Sequence, residues 1–110
     1  MANLDAVFHG LADPTRRAVI TRLAGGPAAV SELAAPHKMA LPSFLKHLKV
    51  LEQAGLVKSR KQGRIRTFTL EIDAIAQVER WIAERKNFWE QKFDELEAYL
   101  AATAPQENNP

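Results

Sequence analysis

A small, mostly helical domain closed by one β-hairpin, in the order α-α-α-α-β-β-α, is the fold class this sequence predicts. Three observations carry it. Apolar residues recur at helical spacing in successive runs between residues 4 and 54, and the runs are punctuated by Pro and Gly. The period then switches to two across LVKSRKQGRIRTFTLEI, with Gly63 at its middle. From Asp73 to about Ala102 neither Gly nor Pro interrupts a last amphipathic stretch.

Each element has its own reason. In NLDAVFHGLA, the residues Leu4, Val7, Phe8 and Leu11 share one face of a short first helix. DPTRRAVITRLAGGP is the clearest helix: Asp13 is a natural N-cap, and Pro14 stands where a missing N–H costs nothing. Val19, Ile20 and Leu23 supply its apolar face, and Gly25-Gly26-Pro27 stop it. Val30, Leu33 and Ala34 line a third helix that ends near Pro36. Leu41, Phe44, Leu45, Leu48 and Leu51 recur through LPSFLKHLKVLEQAGL, and Gly55 terminates this fourth helix. In the hairpin, Val57, Ser59 and Lys61 alternate before the reversal and Ile65, Thr67 and Thr69 after it, with Gln62-Gly63 at the turn. The last helix is expected over 73–102, with Asp73 as its cap and a kink near ERKN, where the apolar stripe is interrupted. Residues 1–102 then form a single domain, and 103–110 read as a disordered polar tail.

Composition narrows the function classes. The 110 residues are 46% hydrophobic and 25% charged, as in an ordinary globular domain. There is no cysteine, hence no disulfide, thiolate metal site or cysteine nucleophile. The opening MANLDAVFHG lacks the apolar run of a signal peptide, and no stretch is long enough to span a membrane, so a cytoplasmic protein is expected. The net charge of +2 hides an asymmetry of +7 over residues 1–67 and −5 over 68–110. The basic part is suited to a polyanion.

The order of elements places a helix-turn-helix at residues 30–36 and 41–54, joined by HKMA. In that arrangement the second helix enters the major groove with its N-terminal part and outward face. On this chain those positions are Pro42, Ser43, Lys46, His47 and Lys49. Ser43 and His47 can meet base edges, whereas the lysines suit phosphates. Arg60, Lys61, Arg64 and Arg66 crowd the hairpin tip, where they can reach backbone or minor groove. Arg16 reads equally as a phosphate clamp or as an intramolecular partner, and it stands among the expected DNA contacts. Arg17 reads as structural, paired with Asp13 or Glu32.

LADPTRRAVITRLAGG, VSELA, LPSFLKHLKVLEQAGLV and GRIRTFTL stand in the order and spacing of ArsR-type winged helix-turn-helix repressors. Over residues 4–102 the chain resembles the cysteine-free branch of that family. The resemblance implies a homodimer joined through the first and last helices, a wing made by the hairpin, and repression by occupying a palindromic operator, with autoregulation by analogy. It assigns Leu4, Val7, Phe8, Trp81, Ile82, Phe88, Trp89, Phe93 and Leu96 to the dimer interface. Two positions depart from the pattern. Members often carry Ser where this chain has Ala40 and Leu45. Losing the first removes a cap worth about 0.5–2 kcal/mol. Leu45 is expected either to pack inward or to meet a thymine methyl.

Other classes fare worse. Metal-sensing members use early cysteines or His and carboxylates on the last helix; here the histidines are His9, His37 and His47, and the last helix has none. No cofactor or metal is expected. Trp81, Phe88, Trp89, Phe93 and Tyr99 could line an effector pocket, but packing between protomers explains them without a ligand. An enzyme would need a nucleophile–base pair, converging acids or a phosphate loop, and the acidic EQKFDELE is spaced like a solvated face. The remaining alternative is a winged-helix protein-interaction module that does not bind DNA.

Overall fold

The computed structural model describes residues 3–105. Its elements are α1 (Leu4–Leu11), α2 (Pro14–Leu23), β1 (Ala28–Ala29), α3 (Val30–Ala34), α4 (Leu41–Gln53), β2 (Val57–Gln62), β3 (Ile65–Leu70) and α5 (Ile72–Thr103). The chain divides into two compact units, one ending at Val78 and the other beginning at Glu79. Of the expected tail, Thr103 still belongs to α5, and residues 106–110 lie outside the described residues.

Side chains and glycines set the helix ends. Asn3 Oδ1 accepts from the N–H groups of Asp5 and Ala6, a cap for α1 that the sequence reading did not single out. Asp13 Oδ2 caps α2 by accepting from Arg16 N at 3.0 Å, and Pro14 opens the helix as expected. Ala40 gives α4 no side-chain cap, while Pro42 in the first turn removes one of the N–H groups that would need one. At the far end of α4, Gly55 adopts φ +77°. Leu56 N then donates to Leu51 O at 3.0 Å and Gly55 N to Glu52 O at 3.1 Å. That paired closure satisfies two terminal carbonyls, and the buried Leu51 and Leu56 supply its apolar contact. Asp73 does not cap α5. The helix starts one residue earlier, which puts Asp73 in the first turn, where a carboxylate still suits the helix dipole. No break in the helix falls at Glu84–Asn87, where a kink was expected.

The β-structure exceeds the expected hairpin. Ala28 and Ala29 form β1 and pair with Phe68 and Thr67, giving a three-stranded antiparallel sheet in the order β1-β3-β2. The reversal lies at Gly63-Arg64, one residue later than read, because Gln62 pairs with Ile65. Gly63 has φ +63° while Arg64 keeps negative φ, a sign pattern that suits a two-residue hairpin turn. Register also settles the faces. Val57 pairs with Leu70 and Ser59 with Phe68, so these four side chains share the inner face. Ile65, Thr67 and Thr69 point the other way, and Ile65 is 60% exposed.

The core of the first unit joins Val7, Val19, Leu23, Leu33, Phe44, Leu48, Leu51, Leu56, Val57 and Phe68. Ile75 and Val78 at the start of α5 pack against it. Val7 must therefore leave the expected dimer interface: it is 0% exposed, sealed in the core of the first unit. Leu4 and Phe8 on the same helix remain half-buried.

Candidate nucleic-acid interface

The face of α4 follows from its buried side. Phe44, Leu48 and Leu51 are buried and define the direction of the core. At about 100° per residue, Pro42, Lys46 and Lys49 lie opposite them, with Ser43 on one flank and Leu45 on the other. All five are exposed, whereas His47 is half-buried toward the α1–α2 side. His37 in the preceding turn stacks on Phe44 with ring centres 5.4 Å apart, tying the turn to the core side of α4. Leu45 does not pack inward.

Arg16 and His47 have definite partners within the chain. Arg16 Nε donates to Gly10 O at 2.8 Å and its Nη2 to His9 O at 2.9 Å, so the guanidinium closes the C-terminal end of α1. Its Nη1 lies 3.2 Å from His47 Nδ1, which accepts when the ring proton is on Nε2. Asp13 Oδ2 is 3.6 Å from the same nitrogen. The Arg16 backbone N–H holds the Asp13 carboxyl below its ordinary value; burial opposes this, and the His47 and Arg16 charges and the Thr15 N–H assist. One guanidinium thus links α1, the α2 N-terminus and α4. Arg17 is structural in a different way from that expected: its Nη1 donates to Leu11 O at 2.9 Å, and the partner of Glu32 is Arg22, at 3.3 Å.

On the hairpin, Arg60, Lys61 and Arg64 are exposed. Among the described residues they enter no ion pair, and neither do Lys46 and Lys49. Arg66 differs. Its Nη1 donates to Ser59 Oγ at 2.7 Å, and that hydroxyl donates to Glu52 Oε1 at 3.0 Å, a chain that braces the wing strands against the end of α4. Lys58 is engaged by Glu71 at 3.2 Å. The first unit therefore presents unpaired cations from α4 and from the hairpin, with intramolecular hydrogen bonds holding both elements in place.

The second unit is the remainder of α5. Trp81, Ile82, Phe88, Trp89, Phe93, Leu96, Tyr99 and Leu100 are 39–64% exposed along it. Ile82, Trp89 and Leu96 recur every seven residues, and Phe93 and Leu100 follow the last two by four, which is the spacing of a coiled-coil seam. Arg85 lies over Trp81 at 5.1 Å and Lys92 over Phe88 at 5.7 Å, so the cations shield ring faces beside the seam. Among the described residues no three His, Asp or Glu side chains gather as a metal site requires, and no helix is long and apolar enough to cross a membrane.

A helix-turn-helix domain family matches residues 11–60, which span α2 to β2. Over 72 residues the chain is 44% identical to the HTH-type transcriptional regulator Rv2034 of Mycobacterium tuberculosis, covering 66% of this chain and 67% of that one. The crystal structure of an ArsR family transcriptional regulator, RHA00566, superposes with TM-score 0.76 at 54% identity, covering 79% of this chain and 96% of that one. The solution structure of a homodimeric winged helix-turn-helix DNA-binding domain from Mycobacterium bovis superposes with TM-score 0.58 at 25% identity, covering 83% of this chain and 82% of that one. With α3 and α4 as the helix pair and β2–β3 as the wing, the chain belongs to the ArsR family of winged helix-turn-helix transcriptional regulators, proteins that bind DNA.

Proposed function

We propose that the protein is a homodimeric repressor that occludes a promoter by binding a palindromic operator. The observation that carries this reading is the pairing of two exposed surfaces: unpaired cations on α4 and the wing, and an apolar seam along residues 82–100. Lys46, Lys49, Arg60, Lys61 and Arg64 would meet phosphates, and Pro42 and Ser43 would approach base edges. A seam so apolar is stabilised by a second copy of the same helix, and the Mycobacterium bovis neighbour is itself homodimeric. Arg16 and Arg66 act as braces in this scheme, and His47 has one ring nitrogen turned inward, leaving the other for DNA. Two α4 helices about one turn apart then require an inverted repeat with half-site centres about 10 bp apart.

The test is a selection of bound genomic fragments followed by salt titration on the recovered duplex. An inverted repeat upstream of a gene whose expression rises when this protein is deleted is the expected outcome. Replacing Arg64 with Ala should lower the slope of log K against log salt by about 0.9. An unchanged slope would remove the wing from the interface. Recovery of asymmetric sites would remove the dimeric operator.

A further inference from the structure

Leu45 lies on the DNA-facing helix with its side chain in solvent. It is 43% exposed, and Leu41, four residues earlier on the same flank, is 54% exposed. The neighbours of this apolar pair on the outward face are Pro42, Lys46 and Lys49, and the two lysines enter no ion pair among the described residues. Exposed leucines scattered singly mean little. This one stands beside two cations that phosphates would draw into a groove.

We infer that Leu45 is a specificity-determining residue, selecting a base pair that presents the 5-methyl group of thymine in the major groove. The inference rests on the reading of α4 as the helix that enters that groove. A leucine side chain has no donor or acceptor, and the thymine methyl is the one apolar feature on a base edge there. Set against guanine, Leu45 would strip water from N7 and O6 without replacing its hydrogen bonds, so G·C is disfavoured at the same step. Lys46 and Lys49 supply the attraction to the polyanion, and Leu45 supplies the choice. Across the helix, Ser43 reads by hydrogen bonding, so the two flanks answer to different base chemistries.

The experiment begins with double-stranded DNA selected by the full chain from a random library. Each thymine of the recovered duplex is then replaced singly by deoxyuridine, which removes the methyl and nothing else. One thymine per half-site should lose about fourfold in affinity on replacement, the fold-change of burying one methyl-sized group. Leu45→Ala should bind the thymine and deoxyuridine duplexes equally at that position and keep the wild-type response elsewhere. Because Leu45 is exposed, the variant should keep the wild-type helical signal and melting temperature. Indifference of the wild type to every replacement overturns the inference, as does a sensitive thymine that stays sensitive in Leu45→Ala. A library that enriches no sequence instead overturns the reading of α4 on which the inference stands.

Discussion

Arg16→Ala separates an interior brace from a phosphate contact. The wild-type guanidinium makes a half-buried bond to Gly10 O at 2.8 Å, an exposed one to His9 O at 2.9 Å, and a longer one to His47 Nδ1 at 3.2 Å. Hydrogen bonds from a charged donor contribute about 1.5–3 kcal/mol when shielded. Counting the Gly10 bond near the low end of that range and heavily discounting the exposed and long ones leaves about 2 kcal/mol. At about 4–8 °C per kcal/mol for a domain of this size, the melting temperature should fall by roughly 8–16 °C. Thermal unfolding followed by circular dichroism, at one protomer concentration, reads this directly. The slope of log K against log salt on duplex DNA should stay at the wild-type value. Arg16→Lys sharpens the distinction: it keeps the charge a phosphate needs but cannot reproduce the fork that spans two carbonyls and a ring nitrogen. It should therefore also melt early. A melting temperature within about 2 °C of wild type, with a slope lowered by about 0.9, would refute the brace and make Arg16 a DNA contact.

Asp13 and Trp89 yield three further outcomes. Asp13→Ala removes the α2 cap and should cost about 0.5–2 kcal/mol, whereas Asp13→Asn keeps a capping oxygen and should lie closer to wild type. Because folding lowers the Asp13 pKa, its charge stabilises the fold above the ordinary Asp value of about 3.9, and that contribution is lost as pH falls through the folded value. The difference in melting temperature between wild type and Asp13→Asn should therefore close on acidification; a constant difference would show that the charge adds nothing. Trp89→Glu puts a carboxylate at an exposed position of the seam, so sedimentation should show a folded monomer, and an intact dimer would count against the seam.

The helices were legible because each carries its own periodicity and stop signals. Asp13-Pro14, Gly55 and the Phe44/Leu48/Leu51 face are all local, and the structure places them where spacing does. What spacing cannot supply is the identity of whatever an apolar or basic face meets. Leu4, Val7, Phe8 and Leu11 announce a buried face, yet nothing in their order says that Val7 is sealed in the chain's own core. In IRTFTL either alternating set could turn inward; pairing with β2 and packing of Phe68 select one and leave Ile65 outside. The strand β1 is only Ala28-Ala29, too short for any pattern, and it exists because β3 offers a partner edge some forty residues away. The site divides in the same manner. The basic helix and wing could be read from Lys46, Lys49, Arg60, Lys61 and Arg64, because charge clustering is a local property. The separate fates of Arg16 and Arg66 could not, since their partners are carbonyls and a hydroxyl brought near by folding. Leu45 shows the boundary clearly. The sequence left it between core and groove, and the direction of α4's buried side turns it toward solvent, because one helix cannot point two faces at the same core.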